Sequence, residues 1–231
     1  MATIRVFTSN GMRTVMAELV PRFERASGHK VVVSYDPGQI MMRRIASGEA
    51  ADVAILGGAA LEDLAKQGKI VPESRRAFSR CGIGFAVRTG LPRPDIGSVE
   101  AFKRALLAAK SIAYTLEGAS GIHFSSLIER LGIAKEVQAK AARQPGGLVG
   151  ELVTAGKAET AVQQIPELMA VPGIDLVGPL PADLQKITVS TAGLFARSTE
   201  PDAAKAFLDF LFTPESARVI KRMGHEPEVQ G

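Results

Sequence analysis

Four short segments of the chain combine glycine with small polar residues at the predicted start of a helix. Such segments expose unpaired backbone N–H groups at the positive end of a helix dipole, and small residues let an anion approach the backbone closely. The segments are Ser9-Asn10-Gly11-Met12, Pro37-Gly38-Gln39, Ser120-Gly121-Ile122-His123 and Gly146-Gly147. A polar turn without a ligand explains any one of them, but four together favour an anion-binding site.

Further polar residues near these segments could extend the site. Gln163 and Gln164 lie at the end of a predicted strand and supply amide donors and acceptors. If the site also performs proton transfer, Glu117, His123 and Glu167 are the candidate bases. Each of the three is equally compatible with a surface or capping role, so the sequence assigns no catalytic residue.

Composition excludes several classes of function. The chain of 231 residues is 46% hydrophobic and 23% charged, which is ordinary for a soluble globular protein. No apolar run approaches the roughly 18–20 residues of a membrane-spanning helix, so membrane insertion is not expected. A net charge of +4, short basic doublets and the absence of tryptophan argue against a nucleic-acid partner.

The cysteine and histidine content predicts no metal site and no cofactor. Cys81 is the only cysteine and the three histidines are scattered, so neither a disulfide nor a cysteine-based zinc site can form within the chain. We expect Cys81 to be a buried, inert thiol. The segment MATIRVF leads almost directly into a predicted strand, which indicates either an exported protein without its leader or a cytoplasmic one.

Strand-like and helix-like segments alternate along the chain, which indicates an α/β fold with a largely parallel sheet. In such sheets ligands bind beyond the carboxyl ends of the strands, where the four segments fall. Pro21 is expected to kink or split the first helix. Strands are predicted at 3–8, 30–35, 51–56, 81–89, 111–115, 158–165 and 185–198, and helices at about 12–27, 40–47, 60–67, 99–110, 120–131, 134–143, 147–155, 201–212 and 214–223.

Over nearly its whole length the chain resembles the type II periplasmic solute-binding proteins, in particular the molybdate-binding branch. The resemblance is carried by VFTSNGMRTVMAEL, SYDPGQIMMRRIASGEAADVAIL, GELVTAGKAETAVQQIPEL and AAKAFLDFLFTPESARVIKRMGHEP. It implies two α/β lobes, 1–82 plus 191–231 and 83–190, with a small anion held in the cleft between them. It also implies a periplasmic location and a partner in the membrane permease of an ABC transporter.

The chain departs from the molybdate binders at the ligand itself. Where those proteins offer serine hydroxyls and a tyrosine, this chain has Asn10-Gly11, Gly38-Gln39 and Gln164. Amides and open glycines suit an organic polycarboxylate better than a tetrahedral oxyanion. The segment QQIPELMAVPGIDLVGPLPADLQ is also similar to a subgroup that includes aconitate isomerases. The expected function is therefore a carrier of a small carboxylate, with an aconitate isomerase-like enzyme and a molybdate or tungstate binder as the alternatives.

Overall fold

The computed structural model describes residues 1–228, which form two compact units. Unit 1 comprises Met1–Arg80 and the described residues from Thr188 onward, and unit 2 comprises Cys81–Ile187. Among the described residues, no helix has both the length and the apolar character needed to cross a bilayer.

Strands and helices alternate through both units. The first segment of unit 1 contains β1 (Thr3–Thr8), α1 (Arg13–Ser27), β2 (Lys30–Tyr35), α2 (Gly38–Ala46), β3 (Val53–Gly57), α3 (Gly58–Lys66) and β4 (Arg76–Cys81). Unit 2 contains β5 (Ile83–Arg88), α4 (Val99–Ala108), β6 (Ile112–Thr115), α5 (Ala119–Arg130), α6 (Ala134–Gln138), β7 (Ala141–Gln144), α7 (Gly150–Thr154), β8 (Thr160–Gln164), α8 (Ile165–Met169) and β9 (Ile174–Pro179). The chain then returns to unit 1 with β10 (Thr188–Leu194), α9 (Pro201–Leu211), α10 (Pro214–Arg222) and β11 (Glu226–Pro227).

Unit 1 is a six-stranded sheet in the order β11-β4-β10-β3-β1-β2. Strand β1 pairs in parallel with both β2 and β3, whereas β10 runs antiparallel to β3. Successive side chains of β1 point to opposite faces, so Val6 packs with α1, α9 and α10 while Phe7 packs on the α2 and α3 side. Helices therefore cover both faces of this sheet.

Unit 2 is a five-stranded sheet in the order β7-β6-β8-β5-β9. Strand β6 pairs in parallel with β7 and β8, whereas β5 runs antiparallel to β8 and β9. The same alternation places Phe85 in a core with α4, α5 and α6, and Ala86 in a second core with α7 and α8. This sheet also has helices on both faces.

Four details of the sequence pattern are corrected by the structure. Both sheets are mixed rather than largely parallel, because β5, β10 and β11 add antiparallel pairings. The helix predicted over 134–143 ends at Gln138, and the following Ala141–Gln144 pairs with β6 instead, so tertiary pairing outweighs the helix propensity of alanine. Pro21 lies inside α1, which continues from Arg13 to Ser27, so of the expected kink or split the split is excluded. The strand predicted over 81–89 divides at Gly82 into β4 and β5.

Candidate functional site

Unit 1 brings the first two predicted segments together at one edge of its sheet. In the parallel pairing of β1 with β2, Thr8 lies beside Tyr35, so both strands end at the same edge. The backbone N–H of Asp36 donates to the carbonyl of Thr8 at 3.2 Å and joins the two turns directly. The turns over 9–12 and 37–39 are therefore neighbours.

The residues of these two turns differ in what they can offer a ligand. Met12 is only 1% exposed and its side chain packs in the core, which leaves its backbone as the available part. Gly11 and Pro37 are also buried, whereas Gly38 and Gln39 are exposed. Ser9 and Asn10 are half-buried, and Asn10 opens the single 3₁₀ turn that leads into α1.

A third turn at this edge was missed by the sequence analysis. Strand β3 is parallel to β1 and ends at Gly57, and Gly58 begins α3. A Cβ at Gly57 or at Gly38 would meet no atom within 4 Å, so both turns open onto free space. The signal was the Gly-Gly pair directly after the buried run ADVAIL, which has the same form as the other turns.

Charges at the edge of unit 1 are arranged in two ways. Arg44 pairs with Asp36 and with Glu49, which neutralises the carboxylate that precedes the second turn. Arg13 instead lies with its guanidinium carbon 4.3 Å from the centroid of the Tyr35 ring. One of its nitrogens donates to the Oδ1 atom of Asn10 at 3.3 Å. Unlike Arg44, it has no carboxylate within ion-pair distance among residues 1–228.

His225, close to the last described residue, forms a hydrogen bond with the first turn, over 9–12. Its imidazole is 3% exposed, and Nε2 lies 3.0 Å from the carbonyl oxygen of Gly11. Because a carbonyl only accepts, Nε2 carries the proton, and Nδ1 can accept from the hydroxyl of Ser79 at 3.4 Å. Burial lowers the pKa of His225, while the bond to Gly11 opposes that effect.

Unit 2 repeats the arrangement with the remaining predicted segments. Strands β6, β7 and β8 are parallel, and Thr115 lies beside Gln144 at their carboxyl ends. The N–H of Leu116 donates to the backbone carbonyl of Gln144 at 2.9 Å, and the N–H of Glu117 donates to the carbonyl of Pro145 at 3.0 Å. The turn before α5 is therefore adjacent to the Gly146-Gly147 turn, and β8 brings Gln163 and Gln164 to the same edge.

The start of α5 packs closely on the end of β6. A Cβ on Gly118 would lie 2.6 Å from the hydroxyl oxygen of Thr115, and a Cβ on Gly121 would lie 1.7 Å from its carbonyl oxygen. Ser120 is buried beside them, whereas Ile122 is 42% exposed. The hydroxyl of Thr115 is buried without a hydrogen-bond partner among the described residues, which leaves a polar atom beneath this turn.

Gln163 holds the Gly146-Gly147 turn in place. Its side-chain oxygen accepts from the N–H of Val149 at 2.9 Å, and its nitrogen donates to the carbonyl of Gly147 at 2.7 Å. The residue is 1% exposed. Its amide is thus engaged in positioning the turn.

Glu167 is a buried carboxyl group directly after β8. It is the third residue of α8 and accepts from the backbone N–H of Gln164, as in a capping box, and it also bonds to the side chain of Gln163. Burial raises its pKa to about 8, against the effect of these two bonds. Burial, together with the nearby Glu167, also raises the pKa of the Cys81 thiol to about 12, so Cys81 is protonated and inert at neutral pH.

The other two candidate bases have different surroundings. His123 is half-buried in the first turns of α5, and its Nε2 lies 2.8 Å from the carbonyl oxygen of Leu184. Nε2 therefore carries a proton, which leaves Nδ1 of the neutral ring as its basic atom. Glu117 is half-buried in the turn before α5.

The helices that follow these strand ends begin without side-chain caps. In α2, α3 and α5 the residue before the helix is Pro37, Gly57 and Gly118, and none of them has a side-chain oxygen that could accept from the N–H groups of the first turn. In α4 and α10, by contrast, Ser98 and Thr213 accept from the N–H three residues on. At these uncapped helix starts, backbone N–H groups remain available to donate hydrogen bonds to an anion.

The amino-acid sequence of the chain was also compared with those of known protein families. The chain matches the family model of the bacterial extracellular solute-binding proteins over residues 4–226. The protein belongs to this family.

Individual relatives of this solute-binding protein agree with the assignment. The aconitate isomerase of a Pseudomonas species is 36% identical to it, over 97% of this chain and 88% of that protein. The periplasmic molybdate-binding protein of Azotobacter vinelandii superimposes with a TM-score of 0.80 at 18% identity, over 96% of this chain and 98% of that one. The sulfate-binding protein SubI of Mycobacterium tuberculosis H37Rv gives a TM-score of 0.77 at 18% identity, over 99% and 88% of the two chains. The two structures establish the shared fold.

Proposed function

We propose that this solute-binding protein binds a small organic polycarboxylate at the carboxyl edges of its sheets. The observation that carries the proposal is the pair of uncapped helix starts at α2 and α3, where Gly38 and the preceding Gly57 leave open space beside the backbone donors. A ligand larger than a tetrahedral oxyanion can approach such a backbone, and its carboxylates accept from N–H groups. The name of the Pseudomonas relative, aconitate isomerase, supports a ligand of the tricarboxylate class.

The direct test is a ligand screen by thermal shift, followed by calorimetry. The panel contains citrate, tricarballylate, cis-aconitate, trans-aconitate, sulfate, phosphate, molybdate and tungstate. A ligand that binds only the native state raises the melting temperature by mass action, so tricarboxylates are expected to stabilise the protein and molybdate is not. Tight molybdate or tungstate binding without any carboxylate response would reject the proposal in favour of an oxyanion carrier.

The contribution of each unit is measured with variants that place a negative charge beside the proposed donors. Gln39→Glu in unit 1 and Ile122→Glu in unit 2 change exposed side chains at the starts of α2 and α5, so folding should be preserved and anion affinity reduced. Gln67→Glu and Leu107→Glu place the same charge on exposed positions at the far ends of α3 and α4. Equal losses in all four variants would indicate a general charge effect rather than binding at these turns.

A carrier of this family implies a transport partner, and we include a periplasmic location and an ABC-transporter permease in the proposal. Binding alone then serves uptake. Deletion of the gene should abolish accumulation of the labelled carboxylate that the screen identifies, and the intact gene should restore it. Uptake that is unchanged by the deletion would remove the transport part and leave the binding part to stand on calorimetry.

A second function is favoured by Glu167. A buried carboxyl with a pKa near 8 exists in both protonation states around neutral pH, as a group that alternates between acid and base must. It lies three residues beyond the end of β8, and the aconitate isomerase relative is similar over 97% of this chain. This supports an isomerase that moves the double bond of an unsaturated tricarboxylate.

The chemistry of that function is a proton transfer between two carbons. The ionised carboxylate of Glu167 would remove a proton from the methylene next to one carboxylate of aconitate, and the electron pair would delocalise through the double bond. Backbone N–H groups at the helix starts would stabilise the enolate-like charge. Glu167, whose proton exchanges with solvent, would then protonate the former vinyl carbon, so the double bond shifts and no net proton is consumed.

Proton NMR with cis- or trans-aconitate in D₂O separates the carrier from the enzyme. An isomerase interconverts the two isomers and exchanges methylene protons for deuterium, whereas a carrier does neither above the buffer rate. Glu167→Gln should reduce turnover about 10²–10⁴-fold while leaving tricarballylate affinity nearly intact if Glu167 transfers the proton. His123→Ala and Glu117→Gln are the parallel variants, and full activity in Glu167→Gln would move the role to one of them.

A further inference from the structure

The first residue of α1 is an arginine whose guanidinium contacts an aromatic ring and an amide at the edge of unit 1. Arg13 follows the Asn10–Met12 turn directly, and its guanidinium stacks on Tyr35 at the end of the neighbouring strand. Asn10 accepts one of its N–H groups at 3.3 Å. An aromatic face and an amide oxygen thus contact the guanidinium without neutralising its charge.

The remaining N–H groups of this guanidinium have no carboxylate partner in the described chain. The contrast with Arg44 is instructive, because Arg44 stacks on Phe7 in the same way but is paired with Asp36 and Glu49. Burial raises the pKa of Tyr35 and the charge of Arg13 opposes that rise, so the ring remains a neutral platform at neutral pH. Arg13 is thus an oriented cation beside a turn whose backbone donors also favour an anion.

We propose that Arg13 binds a carboxylate group of the ligand through its guanidinium. The inference rests on the proposed function, since it names the partner of one of the ligand's carboxylates. A guanidinium presents two parallel N–H groups that match the two oxygens of a carboxylate. A lysine at the same position supplies the charge but not the two parallel N–H groups, which we call the fork.

The test is calorimetry with tricarballylate, a saturated tricarboxylate that has no double bond to shift, on the full chain and three variants. Arg13→Gln removes the charge, Arg13→Lys keeps the charge without the fork, and Arg25→Gln removes a charge from an exposed position at the other end of α1. Arg13→Gln should weaken binding about 10- to 100-fold, as expected for a hydrogen-bonded ion pair. Arg13→Lys should fall between Arg13→Gln and the wild type, and Arg25→Gln should stay within about twofold of wild type because screening weakens a distant surface charge.

The results distinguish failure of the role proposed for Arg13 from failure of the proposed function. Tricarballylate binding that is unchanged in Arg13→Gln, or reduced equally in Arg25→Gln, overturns the role of Arg13 and leaves the proposed function intact. A wild-type protein that binds none of tricarballylate, citrate or trans-aconitate overturns the proposed function and the role of Arg13 with it. Since Arg13 is exposed, the thermal midpoint of the ligand-free variants should match wild type, which confirms that the losses are not due to misfolding.

Discussion

Gly121 lies so close to Thr115 that no side chain fits between them. A Cβ at position 121 would lie 1.7 Å from the carbonyl oxygen of Thr115 and 2.6 Å from its hydroxyl oxygen. Because the closest atom belongs to the backbone, no rotation of the threonine side chain can make room. The first turn of α5 can therefore pack on the end of β6 only with glycine at this position.

We expect Gly121→Ala to destabilise the protein and to weaken ligand binding together. The added methyl must move the start of α5 away from β6, and overpacking of this kind costs about 1–3 kcal/mol or more of unfolding free energy. Urea denaturation measures the loss, and calorimetry measures the affinity. Gly38→Ala is the control, since a Cβ there meets nothing within 4 Å and its unfolding free energy should not fall. Wild-type stability in Gly121→Ala would contradict the packing described above.

Replacement of Gln163 should disturb the Gly146-Gly147 turn although the residues of the turn itself are unchanged. Gln163→Leu leaves the buried N–H of Val149 and the partly buried carbonyl of Gly147 without their side-chain partner, and an unpaired buried group costs about 1–3 kcal/mol. We expect an unfolding free energy lower by about 1–3 kcal/mol in urea denaturation and a higher dissociation constant. Gln138→Leu, at an exposed position, should stay within about 0.5 kcal/mol of wild type. Similar losses in both variants would argue against a positioning role for Gln163.

The fold could be predicted from the sequence because it depends on local patterns. Runs such as TIRVFT and KVVVSY are β-branched and apolar, and glycine at position 28 ends the first helix in the left-handed region, where it has the least steric cost. The mixed character of the sheets could not be predicted, since whether β10 pairs parallel or antiparallel with β3 depends on residues more than a hundred positions apart. Ala141–Gln144 was predicted as helix because its alanines favour helix until a neighbouring strand pairs with it.

The candidate site was predictable only where its signal is local. Glycine and serine turns after strands are visible in the sequence, and the structure places 9–12 beside 37–39 and 115–118 beside 145–147. His225 could not be found in this way because its contact with Gly11 spans 214 positions. Arg13 was overlooked although it follows the first turn immediately, since only the placement of Tyr35 distinguishes it from a surface arginine.

His225 should make the stability of the protein depend on pH below neutrality. Its pKa in the native state is lowered by burial, so between that value and its ordinary value of about 6.5 the unfolded chain binds more protons. The contribution of the neutral imidazole is therefore complete above pH 6.5 and is lost as the pH falls. Unfolding free energies from urea denaturation at pH 7.5, 6.0 and 5.0 should show a gap between wild type and His225→Gln that narrows toward low pH.

The control for this titration is Gln138→Leu, which changes an exposed side chain that does not titrate. Its unfolding free energy should differ from that of wild type by nearly the same amount at every pH. A constant gap for His225→Gln would show that its imidazole does not change protonation over this range. Ligand affinity should also fall in His225→Gln, since the carbonyl of Gly11 loses the group that positions the first turn.

Glu167 should give the opposite dependence on pH. Its native pKa of about 8 lies above the ordinary value of about 4.5, so between these values the native state binds more protons than the unfolded chain. Its contribution to stability is complete below pH 4.5 and is lost as the pH rises through 8. One pKa unit corresponds to about 1.4 kcal/mol, so the loss is at most on the order of 5 kcal/mol.

The measurement is the unfolding free energy between pH 5 and 9. In wild type it should decline as the pH rises, whereas in Glu167→Gln, which cannot ionise at this position, the decline should be absent. Glu151→Gln, at an exposed position of α7, should show the same decline as wild type. The same decline in Glu167→Gln as in wild type would show that another group titrates, and would remove the acid–base argument for the isomerase, because that argument needs a carboxyl that changes protonation near neutral pH.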